Sequence, residues 1–314
     1  MQTFLMSLVL FLCTLFGYTQ TAKPVTPVLP DLLSQFENIR DFCMTSDGTE
    51  IYFTAQSPLQ EVSIIVRANN TGSSWNSELL LNPSGKHEDL EPFLAPDGLK
   101  LYFASNRPLN NSSEIKKDFD IWYLERQDLN AKWSEPINIG SPINSEFNEF
   151  YPSVSTNGNM YFTSDRTASK GKDDIFKSEW NSNSYQTPIS LSESINTDGY
   201  EFNAFISPNE DFLIFSGYNR EDGFGSADLY ISTKLKNGEW GMSKNLGENI
   251  NSEKMDYCPF LDLEKNMLYF TSKRSEIRPR EFSSLKEFKT LLDTFENGES
   301  KIYKTTFNLN QYLE

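Results

Sequence analysis

One short phrase is written five times along this chain, so whatever it folds into must accommodate five copies of one unit. The copies are CMTSDGTEIYFTAQS (43–57), FLAPDGLKLYFASNR (93–107), SVSTNGNMYFTSDR (153–166), FISPNEDFLIFSGYNR (205–220) and FLDLEKNMLYFTSKR (260–274). Aligned on Phe53, Phe103, Phe162, Phe215 and Phe270, they recur every 50 to 59 residues. That is the period of a repeat architecture and far from any helical or heptad period. In each copy an apolar run meets a turn of the Asp-Gly or Asn-Gly kind, and a second run rich in Tyr, Phe, Ile and Thr follows. The pair reads as a hairpin of two buried strands. A third strand opens at FDIWYLER (119–126), DDIFKSEW (173–180) or ADLYISTK (227–234), and a fourth is expected to carry Trp75, Trp133, Tyr185 or Trp240. Four antiparallel strands per unit make a propeller blade.

An open array of blades would leave apolar faces and strand edges in water. The fifth unit stops after KIYKTTF (301–307) without its fourth strand, while KPVTPVLPDLLSQFENI (23–39) resembles the strand-and-linker text SEPINIGSPINSEFNEF (134–150). The expected fold is therefore all-β. It is a five-bladed propeller with blades at about 37–82, 87–141, 147–195, 199–248 and 254–314, the last completed by residues 23–30; a six-bladed ring is the weaker alternative. Residues 1–20 carry no charge and hold the apolar run SLVLFLCTLFG (7–17). They read as a signal peptide that lacks a basic n-region, and the run is short for a membrane anchor. Leu12 before Cys13 argues against lipidation. The expected location is secreted or periplasmic. A net charge of −16 with one histidine, His87, argues against nucleic acid and against stable membrane insertion of the mature chain. Cys43 and Cys258 are offset by two positions between repeats, which favours free buried thiols over a ring-locking disulfide.

Before the first strand of four units stands an acid: Asp89, Glu149, Glu201 and Asp256. After the second strand of the same four stands an arginine: Arg107, Arg166, Arg220 and Arg274. Antiparallel neighbours bring these positions side by side, so they are expected to pair within each blade. The first unit has Ile39 and Ser57 there, and lacks both partners together. The competing reading has the carboxylates line the channel mouth. No cofactor is expected; a ring of oxygens without histidine or cysteine would suit calcium better than zinc. Asp120, Asp174 and Asp228 open third strands, where a carboxylate accepts backbone N–H groups of the preceding turn. On fourth strands the tryptophans are expected to cover the outer blade core and not to stack against sugar rings.

Loops between second and third strands differ from blade to blade on the acid and arginine face. Their exposed members Lys116, Lys117, Lys170, Lys172, Phe224, Arg278 and Arg280 are the candidate ligand contacts on an otherwise acidic chain. An insertion at 275–300 holds Leu285, Phe288, Leu292 and Phe295 at helical spacing, with a capping box at Ser284 and Glu287. This stripe is expected to dock on the body.

The SPDG-like turn, the LYFxSxR phrase and the D-[IL]-[YWF] third strand together resemble the WD-like repeats of TolB-type β-propellers. The linkers INSEFNEFYPS (143–153), INTDGYEFNA (195–204) and INSEKMDYCP (250–259) look like those of envelope proteins from Bacteroidetes-type bacteria. The resemblance covers nearly all of 37–307, with LEKN replacing the turn phrase in the fifth unit, and it implies fold and envelope location more than activity. The function it favours is non-catalytic binding or scaffolding of a protein, peptide or glycan. The rival is a five-bladed glycoside hydrolase using Asp89, Glu149, Glu201 and Asp256. Against it, a neighbouring arginine lowers a carboxylate's pKa and spoils it as a general acid. One histidine disfavours a metal-histidine lyase.

Overall fold

The computed structural model describes residues 24–81, 86–109 and 118–313. Within them the chain forms five sheets of four antiparallel strands each. The first strands of the blades, nearest the central axis, are Asn38–Met44, Asp89–Leu94, Glu149–Val154, Glu201–Ile206 and Asp256–Asp262. We number the blades I to V in that order. The second strands, centred on Phe53, Phe103, Phe162, Phe215 and Phe270, are buried almost throughout, because blades pack against both of their faces. This accounts for continuous apolar runs where a sheet with one wet face would alternate.

The turn joining first and second strands needs one residue in the left-handed region. Gly48 and Gly98 supply it in blades I and II (φ 73° and 70°), and in blade V, where the phrase reads LEKN, Asn266 takes the same region at φ 49°. Asparagine tolerates that conformation better than most residues, so the departure leaves the hairpin intact.

Blade V is closed by the N-terminus. Thr26–Pro27 pairs with Lys301–Thr306 in the order Thr26 to Lys304 and Pro27 to Tyr303. The following residues Val28, Leu32 and Leu33 are buried between blades V and I, and the Ile39 N–H donates to the Ser300 carbonyl at 2.9 Å. At the other end Tyr312 stacks on Phe307 and donates its hydroxyl to the Leu246 carbonyl of blade IV at 3.1 Å. Residues 1–20, read as a signal peptide, lie outside the described residues.

Two expectations are corrected. Only Trp75 begins a fourth strand; Trp133, Tyr185 and Trp240 precede strands of two residues and reach over the neighbouring blade. Trp133 donates to the Tyr52 hydroxyl at 3.2 Å, and Trp240 meets Tyr161 edge to face. The aromatics clasp blade to blade, each pair contributing about 1 kcal/mol beyond area burial. The second correction concerns the helix Leu285–Leu292. It is capped by Ser284, which accepts from the Glu287 N–H at 3.2 Å, yet it buries none of its residues. Leu285 is 69% exposed. Phe288 touches Phe282, and of the stripe only Phe295, beyond the helix, reaches the body, against Tyr303.

Candidate binding site at the channel mouth

The four acids open the first strands opposite Ser105, Ser164, Gly217 and Ser272, and the arginines stand two residues past the ends of the second strands. Asp89 meets Arg107 at 2.5 Å, Glu149 meets Arg166 at 2.7 Å, Glu201 meets Arg220 at 2.9 Å and Asp256 meets Arg274 at 3.0 Å. In blade IV the serine is replaced by Gly217, where an added Cβ would sit 2.7 Å from Arg220 Nε. Arg220 Nε there bonds Glu201 directly at 3.2 Å.

The linkers complete the arrangement. Ser145, Thr197 and Ser252 each give backbone N–H and hydroxyl to the acid that follows. Arg166, Arg220 and Arg274 each donate a second bond to the carbonyl of Ile143, Ile195 or Ile250. Asn144, Asn196 and Asn251 bond both N–H and C=O of Ile121, Ile175 and Leu229, standing in for a neighbouring strand. The I-N-[ST] phrase is thus a fastening between blades. The guanidinium groups also lie over blade aromatics, Arg220 at 4.6 Å from the Tyr230 ring. Blade I has Ile39 opposite Ala55, both buried.

None of these acids borders the cavity at the channel mouth, which corrects the channel-lining alternative. Arg166 lowers the Glu149 carboxyl as expected, yet the net shift is upward. Burial pushes that carboxyl up from the usual range, outweighing Ser145 and Arg166.

The channel is lined instead by residues that carry no repeated letter. Each first strand has a bulge, and at each bulge one non-glycine residue takes a positive φ: Asp41, Glu91, Tyr151, Asn203 and Cys258. All five are buried and bond one another across the axis. Arg40 donates to Asp41 and to Glu91, each at 2.8 Å. Cys258 Sγ donates to Asp41 Oδ1 at 2.7 Å, and the Tyr151 N–H donates to Glu91 Oε2 at 2.7 Å. Asp41 Oδ2 is buried and has no partner among the described residues. Burial pushes the Glu91 carboxyl up to about 7; Arg40 opposes this and Asp41 adds to it. Glu91 thus brings to the channel a carboxyl raised well above its ordinary range. Cys43 and Cys258 are free and buried.

Above this layer a cavity of about 270 Å³ opens on the loop-rich face, bordered by Arg40, Gln60, Phe150, Asp173, Phe202 and Tyr257 among others. Arg40 lies 5.2 Å from the Tyr257 ring. Burial, with Asp165 and Asp174 nearby, pushes the Asp173 carboxyl up to about 6. Its neighbour Asp174 accepts the N–H of Lys170 and Gly171, and Asp228 accepts those of Phe224 and Gly225. Asp120 accepts from the Asn138 amide. Among the described residues, no group of three or more His, Cys, Asp or Glu side chains is placed to hold a metal ion.

The loop candidates stand on separate blades. The Lys170 ammonium bonds Ser190 Oγ at 2.8 Å and the Leu191 carbonyl at 2.6 Å. Arg278 pairs with Glu253 at 3.2 Å and Arg280 with Glu287 at 3.6 Å. Lys172 lies 5.1 Å from the Tyr200 ring, and Phe224 is 48% exposed. Lys116 and Lys117 lie outside the described residues.

No protein-family model and no curated protein matches the sequence. Solved structures do match its fold. The catalytic domain of the GH62 α-L-arabinofuranosidase of Coprinopsis cinerea aligns at 12% identity and TM-score 0.53, covering 90% of this chain and 95% of that one. A protein described only as a glycoside hydrolase aligns at 10% identity and TM-score 0.55, covering 91% of each. TolB from Acinetobacter baumannii aligns at 12% identity and TM-score 0.48, and the match spans 86% of this chain but 55% of that chain. The two glycoside hydrolase structures share the overall fold of this chain. Among the described residues no helix is long and apolar enough to cross a membrane.

Proposed function

We propose that this is a non-catalytic, extracytoplasmic binding propeller that takes a protein, peptide or glycan on its loop-rich face, at the channel mouth. The supporting observation is the mouth itself. It combines one guanidinium, amides and three aromatic rings around a cavity large enough for a few polar groups, the usual composition of a recognition site. Arg40 is the residue suited to a carboxylate or hydroxyl of the ligand. Glu91 is 4% exposed and held by Arg40, and the ring acids are paired inside their blades. Export rests on the reading of residues 1–20.

One observation favours glycoside hydrolysis as a second reading. Asp173 and Glu91 border the same cavity with carboxyls raised to about 6 and about 7, and a protonated carboxyl near neutral pH is what a general acid needs. A broad panel of aryl glycosides and oligosaccharides, incubated with wild type, Glu91→Gln and Asp173→Asn, separates the two. A binding propeller gives no turnover with any variant, and is retained on a glycan or peptide array in a way that Arg40→Gln weakens. Turnover by wild type that disappears in either carboxyl variant overturns it.

A further inference from the structure

The opposite end of the channel is open as well, and its chemistry is different. A cavity of about 240 Å³ lies where the first strands of all five blades end, walled by Met44, Leu94, Val154, Ile206 and Leu261. Phe205 and Phe260, packed edge to face at 5.7 Å, also border it. Its size falls below the roughly 300 Å³ at which pockets begin to take whole drug-sized molecules. It matches one or two large side chains.

The rim is acidic. Asp47, Asp97 and Glu264, from the hairpin turns of blades I, II and V, are exposed at its edge. Asp262 is also there, but Lys265 neutralises it at 2.9 Å. Asp47 and Asp97 are fixed in position by accepting the N–H groups of Thr49 and Leu99, each at 2.9 Å. Hydrogen bonds from Thr45 and Thr49 hold the Asp47 carboxyl below its usual range, so it stays ionised. An apolar wall rejects sugar hydroxyls, which would lose their water without replacement. An acidic rim on a chain of net charge −16 rejects anions.

We propose that this lower mouth is a second binding site, on the face away from the loop-rich mouth, and that its occupant is a partner's peptide segment. That segment would insert one large apolar side chain and set flanking Lys or Arg residues against Asp47, Asp97 and Glu264. The apolar anchor supplies most of the affinity, and the charges supply orientation and salt dependence.

The probe is a fluorescent peptide series Lys-Arg-Z-Lys-Arg, with Z as Ala, Leu, Met, Phe or Trp, titrated by anisotropy against the full chain. Saturable binding is expected that strengthens at least tenfold from Z = Ala to the best large residue and weakens with salt. Ala95→Trp, which fills the cavity from its wall, should abolish the dependence on Z. Asp97→Lys, an exposed rim change that leaves the core alone, should weaken every member about tenfold, and keeps the test decisive if Ala95→Trp fails to fold. Affinity that ignores Z, survives Asp97→Lys, or is absent throughout overturns the proposal. Gln60→Lys, an exposed change at the other mouth, should leave this binding unchanged, which keeps a failure of one site distinct from a failure of the other.

Discussion

The two ends of the channel are made by the same five strands, yet they are chemical opposites. At the lower end the repeat positions read Met44, Leu94, Val154, Ile206 and Leu261, five versions of one apolar choice. At the bulge the equivalent set is Asp41, Glu91, Tyr151, Asn203 and Cys258, five different chemistries that satisfy one another across the axis. The bulge turns a residue out of the regular pleat of the strand. The lower positions wall one apolar cavity, which a similar residue from each blade can fill, whereas the bulge positions bond one another and need only be complementary.

The hardest test of that contrast is Arg40→Met. It leaves Asp41 and Glu91 buried without their cation, and should cost about 3–5 kcal/mol in urea denaturation. A loss below about 1 kcal/mol would mean the upper layer is held by packing, as the lower one is.

The next effect is read against pH. The Glu91 carboxyl has an ordinary value of 4.5 and is pushed to about 7 in the folded chain. The folded state therefore holds a proton that the unfolded chain has given up between those values. Its stabilisation is complete below pH 4.5 and is lost as pH rises through about 7, a decline on the order of 3 kcal/mol. Glu91→Gln should flatten this limb of the stability profile. It should spare the acid limb, which belongs to groups such as Glu210. There burial acts upward but bonds from Tyr161 and Asn159, with Lys177 nearby, win and hold the carboxyl at about 2. That stabilisation is present above 4.5 and lost as pH falls toward 2. An unchanged slope between about pH 5 and 7 in Glu91→Gln would remove Glu91 from the account.

The smallest of the three falls on the lower end. Phe260→Ala enlarges the apolar cavity without orphaning any charge and should cost about 2 kcal/mol, less than for a fully enclosed phenylalanine. Its effect should be independent of pH, in contrast to the upper layer.

The same distinction governs what could be read from the letters alone. Blade number and the acid and arginine positions were legible because they recur in successive copies, and ring closure because the strand missing from the fifth copy has its text at 23–39. The axial layer was not, although it sits two residues after each ring acid, because Asp41, Glu91, Tyr151, Asn203 and Cys258 share no residue type and a bulge leaves no mark in the pattern. The fastening role of the I-N-[ST] linkers was visible as repeated text without a reason attached, since it depends on Asn196 lying beside a strand some twenty residues earlier. Helical spacing at Leu285, Phe288 and Leu292 announced an amphipathic helix correctly. It carried nothing about which surface, if any, that stripe would meet.

Closure by the N-terminal strand has a consequence in time. The strand at Thr26–Pro27 is the first piece of blade to be synthesised, and its partner Lys301–Thr306 is nearly the last. Until that partner exists, Val28, Leu32 and Leu33 have no seat. Contacts of such long sequence separation slow folding far more than they weaken the finished fold. The growing chain therefore carries an unsatisfied apolar end and an unpaired edge until Lys301–Thr306 is made, the condition that invites aggregation or a chaperone. A lesion in the final strand will be felt first at the opposite terminus.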